Sequence, residues 1–130
     1  MIIDTSALLA ILFNEPESDD LVHAIAIADT RHVPAPVVVE ASAVLLARAG
    51  PGADVALDAL LHRLDIDVID MTTAAASAAR DAYSRYGKGV GDPAVLNFGD
   101  CLAYGVAVAM NERLLYKGND FAQTDVVSAS

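Results

Sequence analysis

Four acidic residues stand in company that could do chemistry: Asp4 in Asp4-Thr5-Ser6 after an apolar opening, Glu40 in Val39-Glu40-Ala41, Asp100 in Gly99-Asp100-Cys101, and Asp120 in Gly118-Asn119-Asp120-Phe121. Taken singly, three have ordinary explanations. Asp4 caps a helix, Asp100 complements a helix dipole and Asp120 fills a turn. Glu40 differs. At about 100° per residue its helical neighbours are Pro36, Val37, Ala43, Val44 and Ala47, an apolar stripe expected to face a sheet. A carboxylate buried there needs a partner or a metal, and that stripe holds no lysine or arginine.

Other chemistry is thinly represented. His23, His32 and His62 are far apart and form no zinc-binding cluster. Cys101 is the only cysteine, so there is no internal disulfide, and its expected role is that of a small buried apolar residue.

The elements that position the acids follow from the apolar runs and their punctuation. Met1 to Ile3 reads as a strand, with Asp4-Thr5-Ser6 opening a helix through Phe13 and Asn14-Glu15-Pro16 ending it. A second helix is expected from Glu17 to Asp29, then a strand from Arg31 to Val33. Helices follow over Val37 to Ala49, started by Pro36, and over Ala53 to Leu64. Asp67 to Met71 reads as a strand. Thr72 or Thr73 caps an alanine-rich helix to Tyr86, and Gly87 to Pro93 forms a glycine-rich loop. Asn97 caps a helix from Phe98 to Asn111, Leu114 to Tyr116 is a strand, and a short terminal strand is expected near Val126.

Strands alternating with helices predict a parallel sheet with right-handed crossovers. In such a sheet the strand ends and the following helix starts share the carboxyl edge, where ligands bind. Asp4 ends the first strand, Glu40 lies in the early turns after the second, Asp100 opens the helix before the fourth, and Asp120 follows that strand. The topology therefore gathers all four. Crowded carboxylates repel by roughly 4 kcal/mol per pair at about 4 Å and an effective dielectric near 20. Hard oxygen-seeking cations such as Mg²⁺ or Mn²⁺ relieve that repulsion.

The bulk composition sets limits. The 130 residues, 55% hydrophobic and 20% charged, suit one domain over 1–130 with no internal repeat or linker. Eighteen acids against eight bases give a formal charge of −10 and a pI near 4.3, opposite to a protein that holds nucleic acid nonspecifically through phosphates. A nucleic-acid enzyme stays open, because bound divalent ions invert the local sign. Mean hydropathy is +0.42, yet charges interrupt every apolar run before the ~20 residues of a membrane span. The opening has no basic leader, so a cytoplasmic location is expected.

The runs Asp4-Thr5-Ser6-Ala7-Leu8, Val39-Glu40-Ala41, Asn97-Phe98-Gly99-Asp100-Cys101 and Leu114-Leu115-Tyr116-Lys117-Gly118-Asn119-Asp120-Phe121, with Thr124-Asp125, resemble a PIN-domain ribonuclease. More closely they resemble the VapC toxins of type II toxin-antitoxin pairs. The resemblance spans essentially the whole chain. It implies a PIN-like α/β/α sandwich around a parallel sheet of four to five strands, and an acidic pocket for one or two Mg²⁺ or Mn²⁺ ions. The family's acids fall on Asp4, Glu40, Asp100 and Asp120, with Asp4 and Asp100 as direct ligands, Glu40 as a direct or water-mediated one, and Asp120 at a second ion or farther out. Ser6 matches the family's supporting hydroxyl, and Asp125 matches a further motif position that capping also explains. The implied activity is metal-dependent hydrolysis of RNA phosphodiesters. Lys88 and Lys117 are the candidates for meeting RNA phosphates, with Arg85 a third that could instead complement a helix terminus. A homodimer and a cognate antitoxin whose C-terminal segment obstructs the pocket are also implied.

Two alternatives remain at this level. A receiver-type phosphoacceptor domain would use Asp70 and Lys117, though it expects paired acids after the first strand and one strand more than is found here. A catalytically inactive PIN domain acting only as a binding module is the other.

Overall fold

The computed structural model describes residues 1–93 and 95–129. β1 (Ile2–Ile3) leads into α1 (Thr5–Leu12) and α2 (Ser18–Ile27). β2 (His32–Pro34) leads into α3 (Ala35–Ala49) and α4 (Val55–Arg63), and β3 (Asp67–Ile69) into α5 (Thr73–Tyr86) and α6 (Phe98–Met110). β4 (Leu114–Leu115) is followed by a 3₁₀ turn at Phe121–Gln123.

The four strands form one parallel sheet in the order β3-β2-β1-β4. Ile2 pairs with His32 on one side and Leu114 on the other, and Ile3 with Leu115. The first two crossovers step one way across the sheet and the third steps back. Right-handed connections therefore set α1 to α4 on one face and α5 with α6 on the other. The packing agrees: α1 lies against α2, α3 and α4, while α5 runs along α6. The strand order reverses between β1 and β4, the switch point where parallel sheets open a crevice.

β1 and β4 are apolar and buried, as parallel strands covered on both faces are, whereas the edge strand β3 is exposed at Asp67 and Val68. Ile2, Ile3, Val33, Leu114 and Leu115 are wholly buried, joined by Leu8, Val37, Ala41, Ala82, Val106 and others from the helices. Among the described residues no helix is long and apolar enough to cross a membrane.

Three details depart from the sequence reading. The helix expected from Val37 begins at Ala35, with Pro34 as its cap and Pro36 in its first turn, where the missing proline N–H costs no helical bond. Its buried stripe is Val37, Ala41 and Leu45, with Ala43 and Ala47 exposed, so Glu40 borders the apolar face rather than lying in its middle. No strand forms at Val126. The terminal segment makes one parallel bridge, Leu114 to Ser128, through Leu114 N–H to Val127 O and Ala129 N–H to Leu114 O, each 2.9 Å.

The receiver alternative fails on topology. Asp70 follows β3 and Lys117 follows β4, the two outermost strands, with β2 and β1 between them.

Small residues let α5 and α6 approach closely. A methyl at Gly105 would overlap the Ala75 carbonyl and the Ala79 side chain. Gly105→Ala is expected to destabilise the fold by about 1–3 kcal/mol, the usual cost of overpacking, read as a lower denaturation midpoint. An unchanged midpoint would mean that the two helices are not in such close contact.

Candidate metal centre

Asp4 leaves β1 and serves as the N-cap of α1. Its Oδ2 accepts from the Ser6 N–H at 3.0 Å and the Ser6 hydroxyl at 2.6 Å. The Ser6 hydroxyl in turn accepts from the Lys117 N–H at 3.0 Å, so the end of β4 fixes the orientation of the carboxylate beside the end of β1. Asp4 is 1% exposed, and its Oδ1 is buried with no hydrogen-bond partner among the described residues.

Glu40, in the second turn of α3, reaches the same edge. The Thr5 hydroxyl, at the first position of α1, donates to Glu40 Oε1. Gly99 packs against the other side of this carboxylate, where a Cβ would overlap Oε2. Asp100 closes a capping box with Asn97: the Asp100 N–H donates to Asn97 Oδ1 at 2.8 Å, and the Asn97 N–H donates to Asp100 Oδ2 at 3.0 Å. In Asp4, Glu40 and Asp100 one oxygen accepts from a hydroxyl or backbone amide, and in Asp4 the other is buried without a partner among the described residues.

The electrostatics bind the group together. Burial, partly offset by Ser6 and reinforced by the charges of Asp100 and Glu40, lifts Asp4 from 3.8 to about 7. Burial also raises Asp100 to about 6, with Asp120 and Glu40 adding to the rise while Asn97 and Lys88 oppose it. Asp120 is exposed and contributes charge from the loop after β4. Among the described residues no three His, Cys, Asp or Glu side chains converge tightly enough to cage an ion unaided. An open set suits magnesium, which keeps several waters and needs only one or two carboxylates. A buried, partnerless Asp4 oxygen among like charges is the feature that such a cation would satisfy.

The basic candidates divide. Lys88 is exposed and its charge acts on Asp100. The Lys117 ammonium pairs with Glu15 and lies 3.7 Å from Glu17. Arg85 bonds Asp81 at 3.2 Å and Asp125 at 3.1 Å, and stacks on Tyr86. Asp125 also accepts from the buried Tyr104 hydroxyl, so it pins the terminal segment to α5 and α6. Burial and the nearby Asp100 charge push the Cys101 thiol up to about 11, which makes it an inert core residue. Sequence reasoning passed over Thr5 and Gly99. The first was legible only as capping chemistry, and the second as a helix-start glycine; their role depends on α3 and α6 meeting across the site.

Two expectations follow. Folded Asp4 keeps its proton to about pH 7, whereas the unfolded chain loses it near 3.8. Between those values the folded state binds more protons, so stability falls as pH rises from about 4 to 7, with Asp100 adding to the lower part of that window. Asp4→Asn is expected to flatten this slope in denaturation measured without divalent cations; an unaltered slope would place the titration elsewhere. Gly99→Ala should keep native circular dichroism yet weaken Mn²⁺ binding by about tenfold, because Glu40 must move. Undiminished Mn²⁺ affinity would separate Glu40 from the centre.

The PIN domain family matches residues 1–127. The chain is similar to Ribonuclease VapC28 of Mycobacterium tuberculosis, with 43% identity across 99% of this chain and 97% of that protein. In structure it is similar to VapC20 of M. tuberculosis, described as a sarcin-ricin loop cleaving toxin, with a TM-score of 0.76 and 19% identity over 97% of this chain and 95% of that one. It is also similar to VapBC2 from Rickettsia felis, solved with a DNA fragment from their promoter, with a TM-score of 0.74 and 15% identity over 98% of this chain and 94% of that one. At those identities the two structures speak for the fold, while the full-length match to VapC28 reaches further. The chain belongs to the PIN-domain family and, within it, to the VapC ribonucleases.

Proposed function

We propose that the protein is a Mg²⁺- or Mn²⁺-dependent endoribonuclease, the toxin of a VapBC-type pair, working at the edge where Asp4, Glu40 and Asp100 meet. The observation that carries this is the buried Oδ1 of Asp4, without a partner and surrounded by like charge. Asp4 and Asp100 would hold the ion directly and Glu40 directly or through a water, with Asp120 at a second ion or farther out. When bound, a divalent ion there would lower the pKa of attacking water, neutralise the scissile phosphate and stabilise the departing 3′ oxygen.

The chain's own residues prepare this chemistry. Ser6 fixes Asp4 and ties it to β4, Thr5 holds Glu40, and the Asn97 capping box holds Asp100, so little reorganisation is left for the moment of reaction. Lys88, exposed and acting on Asp100 through its charge, is the cation we assign to an RNA phosphate. Lys117 and Arg85 would first have to leave their carboxylate partners. Within the pair we assign a homodimer, a cognate antitoxin with a basic inhibitory segment suited to the −10 charge, and a cytoplasmic setting. The VapBC2 likeness supports the antitoxin assignment at the level of the fold.

The test is cleavage of mixed RNA by purified protein with Mg²⁺ or Mn²⁺, beside Asp4→Asn and Asp100→Asn. Each substitution is expected to lower the rate by roughly 100-fold or more, and chelation should abolish it. Equal degradation by all three proteins would trace the activity to a contaminant or to another site. Binding of RNA without turnover in the wild type would favour the binding-module alternative.

A further inference from the structure

The RNA reading raises a physical difficulty. Nucleic-acid binding draws most of its strength from phosphate contacts, yet this chain carries −10 and only eight lysines and arginines. Four of these are occupied within the protein. Arg31 donates to the Leu64 and Ala26 carbonyls, Arg48 lies over Phe13, Arg85 bonds Asp81 and Asp125, and Lys117 is held by Glu15. That leaves Arg63, Arg80, Lys88 and Arg113 beside any bound cation, so part of the affinity for a strand is expected from groups that carry no positive charge. Single-stranded nucleic acids offer one, since every base has a face that stacks on an aromatic ring.

The structure presents such a ring at the start of the helix that carries Asp100. Phe98 opens α6 and is 73% exposed, the only aromatic among the large exposed hydrophobic side chains of the described residues. It rims a mainly apolar groove of about 610 Å³ between α5 and α6, lined also by Met71, Tyr83, Val90 and Leu102. Arg80 adds a cation to this wall. The groove is tied to the acid cluster through α6 and one loop. Phe98 and Asp100 share the first turn of α6, but two positions turn the helix by about 200°, so Phe98 belongs with Cys101 and Leu102 to the face that lines the groove while Asp100 leaves on the far side. The loop that carries Val90 into the groove also carries Lys88, whose charge acts on Asp100, and its backbone is tied to the approach to α6 by Lys88 N–H to Leu96 O at 2.8 Å.

We propose that this groove is a nucleobase subsite, in which a base next to the scissile phosphate stacks on Phe98 while Lys88 spans the distance to the acid cluster. An uncharged flat ring avoids the repulsion that a phosphate would meet on this surface, and an exposed ring at a helix start is free to receive it. The proposal rests on the RNA reading above and deepens it.

The chain contains no tryptophan, so Phe98→Trp supplies a single reporter at the site. In a Phe98→Trp, Asp100→Asn protein in magnesium buffer, Trp emission is expected to be quenched by a single-stranded RNA oligonucleotide and not by an abasic ribose-phosphate strand of equal length. In the active background, Phe98→Ala should raise KM about tenfold or more with kcat within about threefold, and Phe98→Trp should restore most of the loss. Because the side chain is exposed, the denaturation midpoint of Phe98→Ala should match the wild type. Equal quenching by both strands, or an unchanged KM in Phe98→Ala, overturns the subsite. A change in oligomeric state with KM unchanged would make this face a protein interface instead. Should the wild type cleave no RNA, the nuclease reading fails, while the quenching experiment still decides whether bases stack here.

Discussion

The structure depends on a carboxylate kept where water cannot reach it. Asp4 sits at the end of a strand buried on both faces, and one of its oxygens has no donor. Burying an unpaired charge is among the costliest things a fold can do, and here Glu40 and Asp100 increase the cost. A protein that needed Asp4 only to cap α1 could have used serine or asparagine at far less expense. The arrangement makes sense if the orphaned oxygen serves a ligand of opposite charge.

The switch point is where such a ligand would sit. β1 and β4 are neighbours in the sheet, but their connecting helices cover opposite faces, so the chain opens a crevice at their carboxyl ends. Ser6 spans the crevice by accepting from Lys117 while donating to Asp4. α3 and α6 approach from different layers, and Gly99 lets the Glu40 carboxylate lie against the start of α6. The fold thus draws toward one edge acids that are distant in sequence, and hydroxyl and amide donors orient them.

Much of the architecture is legible in the sequence because it is local. Alternating apolar strands and capped helices follow from Asp4, Thr72 and Asn97, each of which caps the helix it introduces. The errors arise where tertiary contacts decide. The face of α3 is rotated by about one residue from the apolar count, since exposed alanines at 43 and 47 weigh as much as buried ones in a periodicity. The terminal segment is held at Asp125 by Tyr104 and Arg85 more than by strand pairing, and no spacing rule anticipates that. Thr5 holding Glu40 is likewise invisible until α1 and α3 are packed together.

The most direct test of the central claim is anomalous diffraction from a crystal of the protein soaked in Mn²⁺ at a pH above 7, where Asp4 is ionised. The account requires a manganese peak within bonding distance of the Asp4 Oδ1, shared with Asp100 or Glu40. A map with no peak at that edge, or with the ion bound only elsewhere on the acidic surface, would contradict it.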